Sequence, residues 1–199
     1  GPYEARLPKA IAAIDTLLAL KRPPVAAPRI RVRRAVAGDA ERLAHIGTAT
    51  FVETYSEIID GANMAAHCTA QHSKAVYEAY LAHPGCAVWL AEYEETGAPV
   101  GYAVNCPPDL PIALQPGDVE LKRIYALSRF HGSDAGRMLM DAAIEQARAC
   151  GALRLLLGTY EENRRAIAFY RKHGFEMAGT RQFRVGERLY DDVVLAKPL

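Results

Sequence analysis

The sequence predicts one mixed α/β domain, an α+β arrangement of a sheet flanked by helices, and three observations predict it. The second half alternates strand, helix, strand and helix in strict succession. The first half holds two apolar runs, Cys86 to Tyr93 and Gly101 to Asn105, joined by the polar connection Glu94 to Pro99, which is the pattern of a hairpin. The chain closes on two more strand-like runs, Gly179 to Val185 and Leu189 to Ala196, joined through Gly186-Glu187-Arg188.

The composition bounds the rest. A chain of 199 residues that is 50% apolar is long enough to fill one core and short for two domains. Lys and Arg number 24 against 23 Asp and Glu, so a net charge of +1 gives no electrostatic reason to expect a nucleic acid or an anionic membrane as partner. The apolar stretch Ile11 to Leu20 is interrupted by Asp15 and too short to span a membrane. Cys68, Cys86, Cys106 and Cys150 lie far apart, with no His at metal-ligand spacing, and read as four reduced thiols of a cytoplasmic protein without a metal.

In chain order, residues 1–22 carry Ile11, Ile14, Leu17 and Leu18 on one helical face, an N-terminal helical extension. Residues 23–29, with three prolines in the run Arg22 to Pro28, form an extended linker to a domain over 30–199. Ile30 to Arg34 alternates apolar and basic residues like a strand, and Ala37-Gly38-Asp39 opens a helix towards Tyr55. Ser73 to Ala82 reads as a second helix, stopped by His83-Pro84-Gly85. The hairpin comes next, then a strand over Val119 to Leu127, a helix over Gly136 to Cys150 with Gly151 as its C-terminal cap, a strand over Leu153 to Leu157 and a helix over Asn163 to His173.

Two segments carry chemistry. The strand from Val119 feeds the loop His131-Gly132-Ser133-Asp134-Ala135-Gly136-Arg137 at a helix N-terminus. Unpaired N–H groups, the helix dipole and glycines that admit close approach make such a loop an anion site. Asn163, Ala166, Phe169, Tyr170, Gly174 and Phe175 form the second, N-x-x-A-x-x-F-Y-x-x-x-G-F, where the seven-residue step from Asn163 to Tyr170 puts both on one helix face.

Together these segments resemble the GNAT superfamily of N-acetyltransferases over about Ile30 to Leu199. The loop departs from that family's Q/R-x-x-G-x-G/A pattern at His131 and at Asp134, whose carboxylate stands where a pyrophosphate is expected. The resemblance implies a largely antiparallel sheet of about seven strands, splayed between the fourth and fifth. It implies acetyl-CoA as cosubstrate, with Ile124, Tyr125 and Ala126 holding the thioester and pantetheine, residues His131 to Arg137 the pyrophosphate, and Asn163 the pantetheine arm. Tyr170 would protonate the departing thiolate. A neutral amine attacks the thioester directly, so a proton must be accepted, and Glu120 is the candidate base. Glu120 could equally be an ion-pair partner of Lys122 or Arg123, and Tyr125 is an alternative relay.

The run Thr50-Phe51-Val52-Glu53-Thr54-Tyr55 resembles a segment of bacterial polyamine-type (spermidine/spermine) acetyltransferases, as does Phe183, Gly186, Asp191 and Asp192 near the end. Glu53 and Tyr55 are therefore candidate acceptor-binding residues for a small amine or polyamine. Homodimers are common among such folds, which makes a homodimer an expectation by analogy. A GNAT-like domain that binds acyl-CoA or a partner without turnover is the alternative reading, and Asp134 is the residue that favours it.

Overall fold

The computed structural model describes residues 29–199, and the helix expected over 1–22 and the proline-rich segment as far as residue 28 lie outside the described residues. Seven strands form one sheet in the order β1-β2-β3-β4-β5-β7-β6. They are β1 (Ile30–Arg34), β2 (Ala87–Tyr93), β3 (Pro99–Cys106), β4 (Asp118–Ala126), β5 (Arg154–Tyr160), β6 (Glu176–Val185) and β7 (Arg188–Pro198). Neighbours pair antiparallel except β4 and β5, which run parallel. The helices are α1 (Ala40–Tyr55), α2 (Gly61–Gln71), α3 (Lys74–Ala82), α4 (Asp134–Ala149) and α5 (Arg164–Lys172). None of them is long and apolar enough to cross a membrane.

Alternation along β2 shows how the layers form. Ala87, Trp89 and Ala91 face one side and pack with Leu139, Met140 and Ala143 of α4, whereas Val88 and Leu90 face the other and pack with Leu43 of α1 and Tyr77 of α3. A strand covered on both faces reads as a continuous apolar run, which is what Ala87 to Ala91 is. The helix starts follow local chemistry. Ser73 caps α3 by accepting from the Val76 N–H, Ser133 caps α4 by accepting from Ala135, and Asn163 caps α5 by accepting from Ala166. Helix α2, not expected from the sequence, is capped by Asp60 and buries only Met64. Its weak apolar stripe leaves no periodic signal.

The fourth and fifth strands pair over three positions only, Asp118 with Arg154, Val119 with Leu155 and Glu120 with Leu156. Beyond Glu120 they part. Strand β4 stays bonded to β3 as far as Ala126, and β5 to β7 as far as Tyr160, so a wedge opens between them. Strand β4 also carries one extra residue: Val104 pairs with Arg123 and Asn105 with Leu121, leaving Lys122 without a partner on β3. Such a bulge reverses the facing of the strand residues beyond it. Leu121 and Ile124 therefore share the α4 side of the sheet, and Tyr125 packs in the cluster on the opposite side.

One cysteine expectation is corrected. Cys86, just before β2, and Cys106, at the end of β3, are joined as a disulfide with Cα atoms 4.2 Å apart, because the register Ala87 to Asn105 sets them opposite each other. Cys68 and Cys150 are the free thiols.

The sheet edge is pinned electrostatically. Glu92 on β2 is 1% exposed and meets Arg31 at 2.8 Å, Arg33 at 2.9 Å and Arg42 of α1 at 2.7 Å, while Arg33 and Arg42 also hold Asp39, at 2.7 and 2.9 Å. Burial pushes the Glu92 carboxyl up, but the hydrogen bonds from Arg33, Arg42 and Arg31 outweigh it and hold it down at about 2. The hydrogen bond from Arg33 likewise holds Asp39 below the usual range. For depressed carboxyls the stabilisation is complete above their ordinary range, near pH 4.5, and is lost as pH falls towards about 2. Glu92→Gln is therefore expected to cost about 1.5–3 kcal/mol at pH 7, read as a loss of urea stability. As pH falls to about 2 and below, the variant and the parent should converge. A cost that did not shrink in acid would show that packing, not charge, holds this edge.

Candidate functional site

A cavity of about 440 Å³ opens where β4 and β5 part. Its floor comes from β4 (Glu120, Lys122, Arg123, Tyr125) and β5 (Gly158, Thr159, Tyr160), one wall from α1 and α2 (Phe51, Tyr55, His67, His72) and the other from β6 and β7 (Arg181, Phe183, Tyr190, Asp192). The bulge at Lys122 lets Glu120 and Tyr125, whose positions in a regular strand would point to opposite faces, line the same space.

Glu120 stands at the last paired position before the strands part. It is 2% exposed, accepts from the Asp109 N–H at 2.8 Å and has the Lys122 ammonium at 3.5 Å. The ion-pair alternative is thus realised with Lys122, while the carboxylate still lines the cavity.

Tyr55 and Tyr125 also line it, and burial raises both phenols above their ordinary range. Tyr170 is 8% exposed, between Phe169 and Phe175. Burial, then the neighbouring Tyr125, pushes its phenol well up, so it carries its proton at neutral pH. Burial, then the charge of Arg123 and His67, holds the His72 imidazole down at about 3 and hence neutral. Asp192 is raised by burial in spite of the Arg181 guanidinium at 2.9 Å.

The loop before α4 takes a definite shape. Gly132 supplies the left-handed turn with φ of +80°, and Asp134 is the first residue of the helix. Its carboxylate is held by Arg137 at 3.0 Å, and Arg137 also reaches Asp141 at 3.2 Å. A Cβ on Gly132 would meet nothing within 4 Å, whereas one on Gly136 would approach the Phe169 ring at 3.7 Å. Ala135 is fully buried. The His131 ring lies 3.0 Å from the Ala126 carbonyl.

Glu53 lies outside the cavity lining. It accepts from the Ser128 N–H at 2.8 Å and so ties α1 to the end of β4. Sequence reasoning missed Arg181, Tyr160, Tyr190 and His72 as lining residues, and treated Arg123 only as a neighbour of Glu120. The one signal for Asp192 was its place in the terminal run. Among the described residues, no group of three or more His, Cys, Asp or Glu could hold a metal.

A sheet parted between two parallel strands, a loop opening a helix beyond one of them and a cavity floored by both are the arrangement of an acyl-transfer fold. Comparison with known proteins agrees. The sequence matches the Acetyltransferase (GNAT) family over residues 52–175, and the chain belongs to that family. An uncharacterized N-acetyltransferase of Mycobacterium tuberculosis is 35% identical over 161 residues, spanning 81% of this chain and 98% of that one. Among solved structures, the PaiA N-acetyltransferase of Thermoplasma acidophilum, in complex with coenzyme A, shares the fold with a TM-score of 0.71 at 18% identity, covering 86% of this chain and 99% of that one. A ribosomal-protein-alanine N-acetyltransferase of Brucella melitensis gives 0.61 at 27% identity, covering 85% and 99%.

The floor itself yields a test. A Cβ on Gly158 would lie 2.6 Å from the Arg181 guanidinium carbon, which must then shift from its place beside Asp192. Gly158→Ala should cost about 1–3 kcal/mol in urea unfolding, and close to nothing when made beside Arg181→Ala. Equal costs in both backgrounds would mean that the clash is taken up elsewhere.

Proposed function

We propose that this acetyltransferase moves the acetyl group of acetyl-CoA onto the primary amine of a small molecule by direct attack in a ternary complex. The parting of β4 from β5 beside a cavity holding Glu120 and Tyr125 is the observation that carries the reading. It leaves the β5-facing edge of Ile124, Tyr125 and Ala126 without a strand partner, which suits a pantetheine arm carrying its own amides. The open space over Gly132 and the N-terminus of α4 suit a pyrophosphate. Arg137 holds Asp134 and so softens the carboxylate's repulsion. Asn163 is engaged as the cap of α5, and its amide N–H₂ remains to meet the arm.

The reaction needs three things from the chain. The amine must lose protons, and Glu120 accepts one, directly or through water. The amine must approach the thioester carbon along one line, which the cavity floor provides. Charge on the thioester oxygen must be met by backbone N–H on the free edge of β4. Nitrogen bonds to the acyl carbon, the carbon–sulfur bond breaks with its electron pair on sulfur, and sulfur takes a proton from the Tyr170 phenol, which the proton lost by nitrogen replaces. No covalent enzyme intermediate is formed.

The acceptor reading narrows from a polyamine to a single amine. Three carboxylates, Asp109, Glu120 and Asp192, and three cations, Lys122, Arg123 and Arg181, line the cavity. Without an excess of carboxylates a polycation has nothing to hold its further charges.

Two measurements test this. Acetyl-CoA at about 100 times its Kd should add roughly 2.7 kcal/mol, a rise in Tm on the order of 5–11 °C. No rise would sink the cosubstrate site. Tyr170→Phe should lower kcat about 10²- to 10⁴-fold with Tm unchanged, because the phenol is shaped by burial and ring contacts and has no side-chain hydrogen bond to lose among the described residues. Full activity across pH would remove Tyr170 from the proton path.

A further inference from the structure

Of the charges around the cavity, one is unmatched. Lys122 stands 3.5 Å from Glu120 and 3.7 Å from Asp109, and Arg181 stands 2.9 Å from Asp192. Arg123 has no carboxylate in ion-pair range among the described residues. Its three hydrogen bonds all leave from Nη1 and all reach uncharged partners: the Gln71 carbonyl at 2.8 Å, the His72 ring at 3.1 Å and the Tyr77 hydroxyl at 3.1 Å. The rings of Tyr77 and Tyr80 lie 5.5 and 5.4 Å from the guanidinium carbon. Nη2 and Nε donate to nothing in the described chain, and neither is sealed from solvent. With half of its fork unused by the described chain and open to solvent, the guanidinium is free to take an anion. The buried Tyr190 hydroxyl, on the opposite wall, also lacks a partner.

We infer that the acceptor is an aminocarboxylate, an amino acid or a molecule like one, whose carboxylate is bound by Arg123 while its amine is acetylated. The inference rests on the acetyltransferase reading and specifies its substrate class. A single free cation matches a singly charged carboxylate, and the planar fork of arginine meets two carboxylate oxygens at once. Glu120, on the same strand and across the bulge from Arg123, takes the amine end. Phe51, Ile59, Phe183 and Val185 give the remaining wall an apolar and aromatic character, which suits an apolar or aromatic side chain. A cavity of about 440 Å³ holds a molecule of that size.

The test is acetylation, followed by thiol release, of L-phenylalanine, L-leucine and L-methionine, each beside its carboxamide and its decarboxylated amine. The free carboxylates should be preferred in kcat/KM by on the order of 10- to 100-fold over both neutral forms, with the difference in KM. In Arg123→Gln the ratio of kcat/KM between each free carboxylate and its decarboxylated amine should fall to about one. Arg123→Lys, which keeps the charge and loses the fork, should fall between. The wild-type comparison needs no variant, so a poorly folding Arg123→Gln leaves the inference open to refutation. Equal or better turnover of the amines or amides would overturn it and leave the acetyltransferase intact. Turnover of none of the nine compounds would overturn it as well, and the shift in Tm with acetyl-CoA reports separately on the cosubstrate site.

Discussion

The fold turns on the refusal of two parallel strands to stay together. A buried backbone N–H or C=O left without a partner is expensive, so a sheet interior normally keeps its ladders complete. Here β4 and β5 abandon each other after three pairs. The sheet survives because each strand keeps its other neighbour past the parting: β4 runs with β3 to Ala126, and β5 with β7 to Tyr160. The antiparallel ladders carry the stability, and the parallel seam is spared for function. An open strand edge inside a protein invites something to pair with it. A narrow wedge admits a single extended molecule with amides of its own, which is the shape of a pantetheine arm.

The bulge at Lys122 turns that opening into a site. In a regular strand Glu120 and Arg123 would face opposite sides of the sheet. One extra residue brings them, together with Tyr125, onto the same cavity, so a carboxylate and a guanidinium come from within four positions of one strand. The charges are then distributed unevenly. Lys122 and Arg181 each have a carboxylate nearby, whereas Arg123 is braced only by a carbonyl, a phenol and an imidazole held neutral by burial. A guanidinium braced only by uncharged groups offers a local partner for a carboxylate on whatever enters.

Much of this was legible in the sequence, and the losses have specific causes. Strands and long helices announced themselves by period, and the two motifs located the loop and α5. Helix α2 was invisible because it buries one side chain, Met64, and its stability comes from the Asp60 cap and from context. The disulfide was within reach: Cys86 and Cys106 flank runs that read as the two arms of a hairpin, and closing that hairpin in register sets them opposite. Cysteine spacing along the chain hides a pairing that exists only across strands. The bulge has no sequence signature, so nothing in Val119 to Ala126 revealed that Arg123 would line the site with Glu120. Glu53, singled out by resemblance, accepts from the Ser128 N–H and is not among the residues that line the cavity.

Asp134 shows how a departure from a motif can be accommodated by its surroundings. The sequence set a carboxylate where a glycine is usual, and the loop still forms because Gly132 takes the left-handed turn and Asp134 is already helical. In the first turn of a helix a carboxylate is favourable, since it faces the positive end of the dipole. Arg137, one turn on, holds it at 3.0 Å. Folding therefore gains from Asp134, and the conflict is confined to binding. A pyrophosphate at this terminus competes with Asp134 for the same dipole and the same guanidinium. On the proposed placement of the pyrophosphate, a more favourable first helical turn would come at some affinity for acetyl-CoA, and Arg137 would set the size of that exchange by the share of its charge it can release.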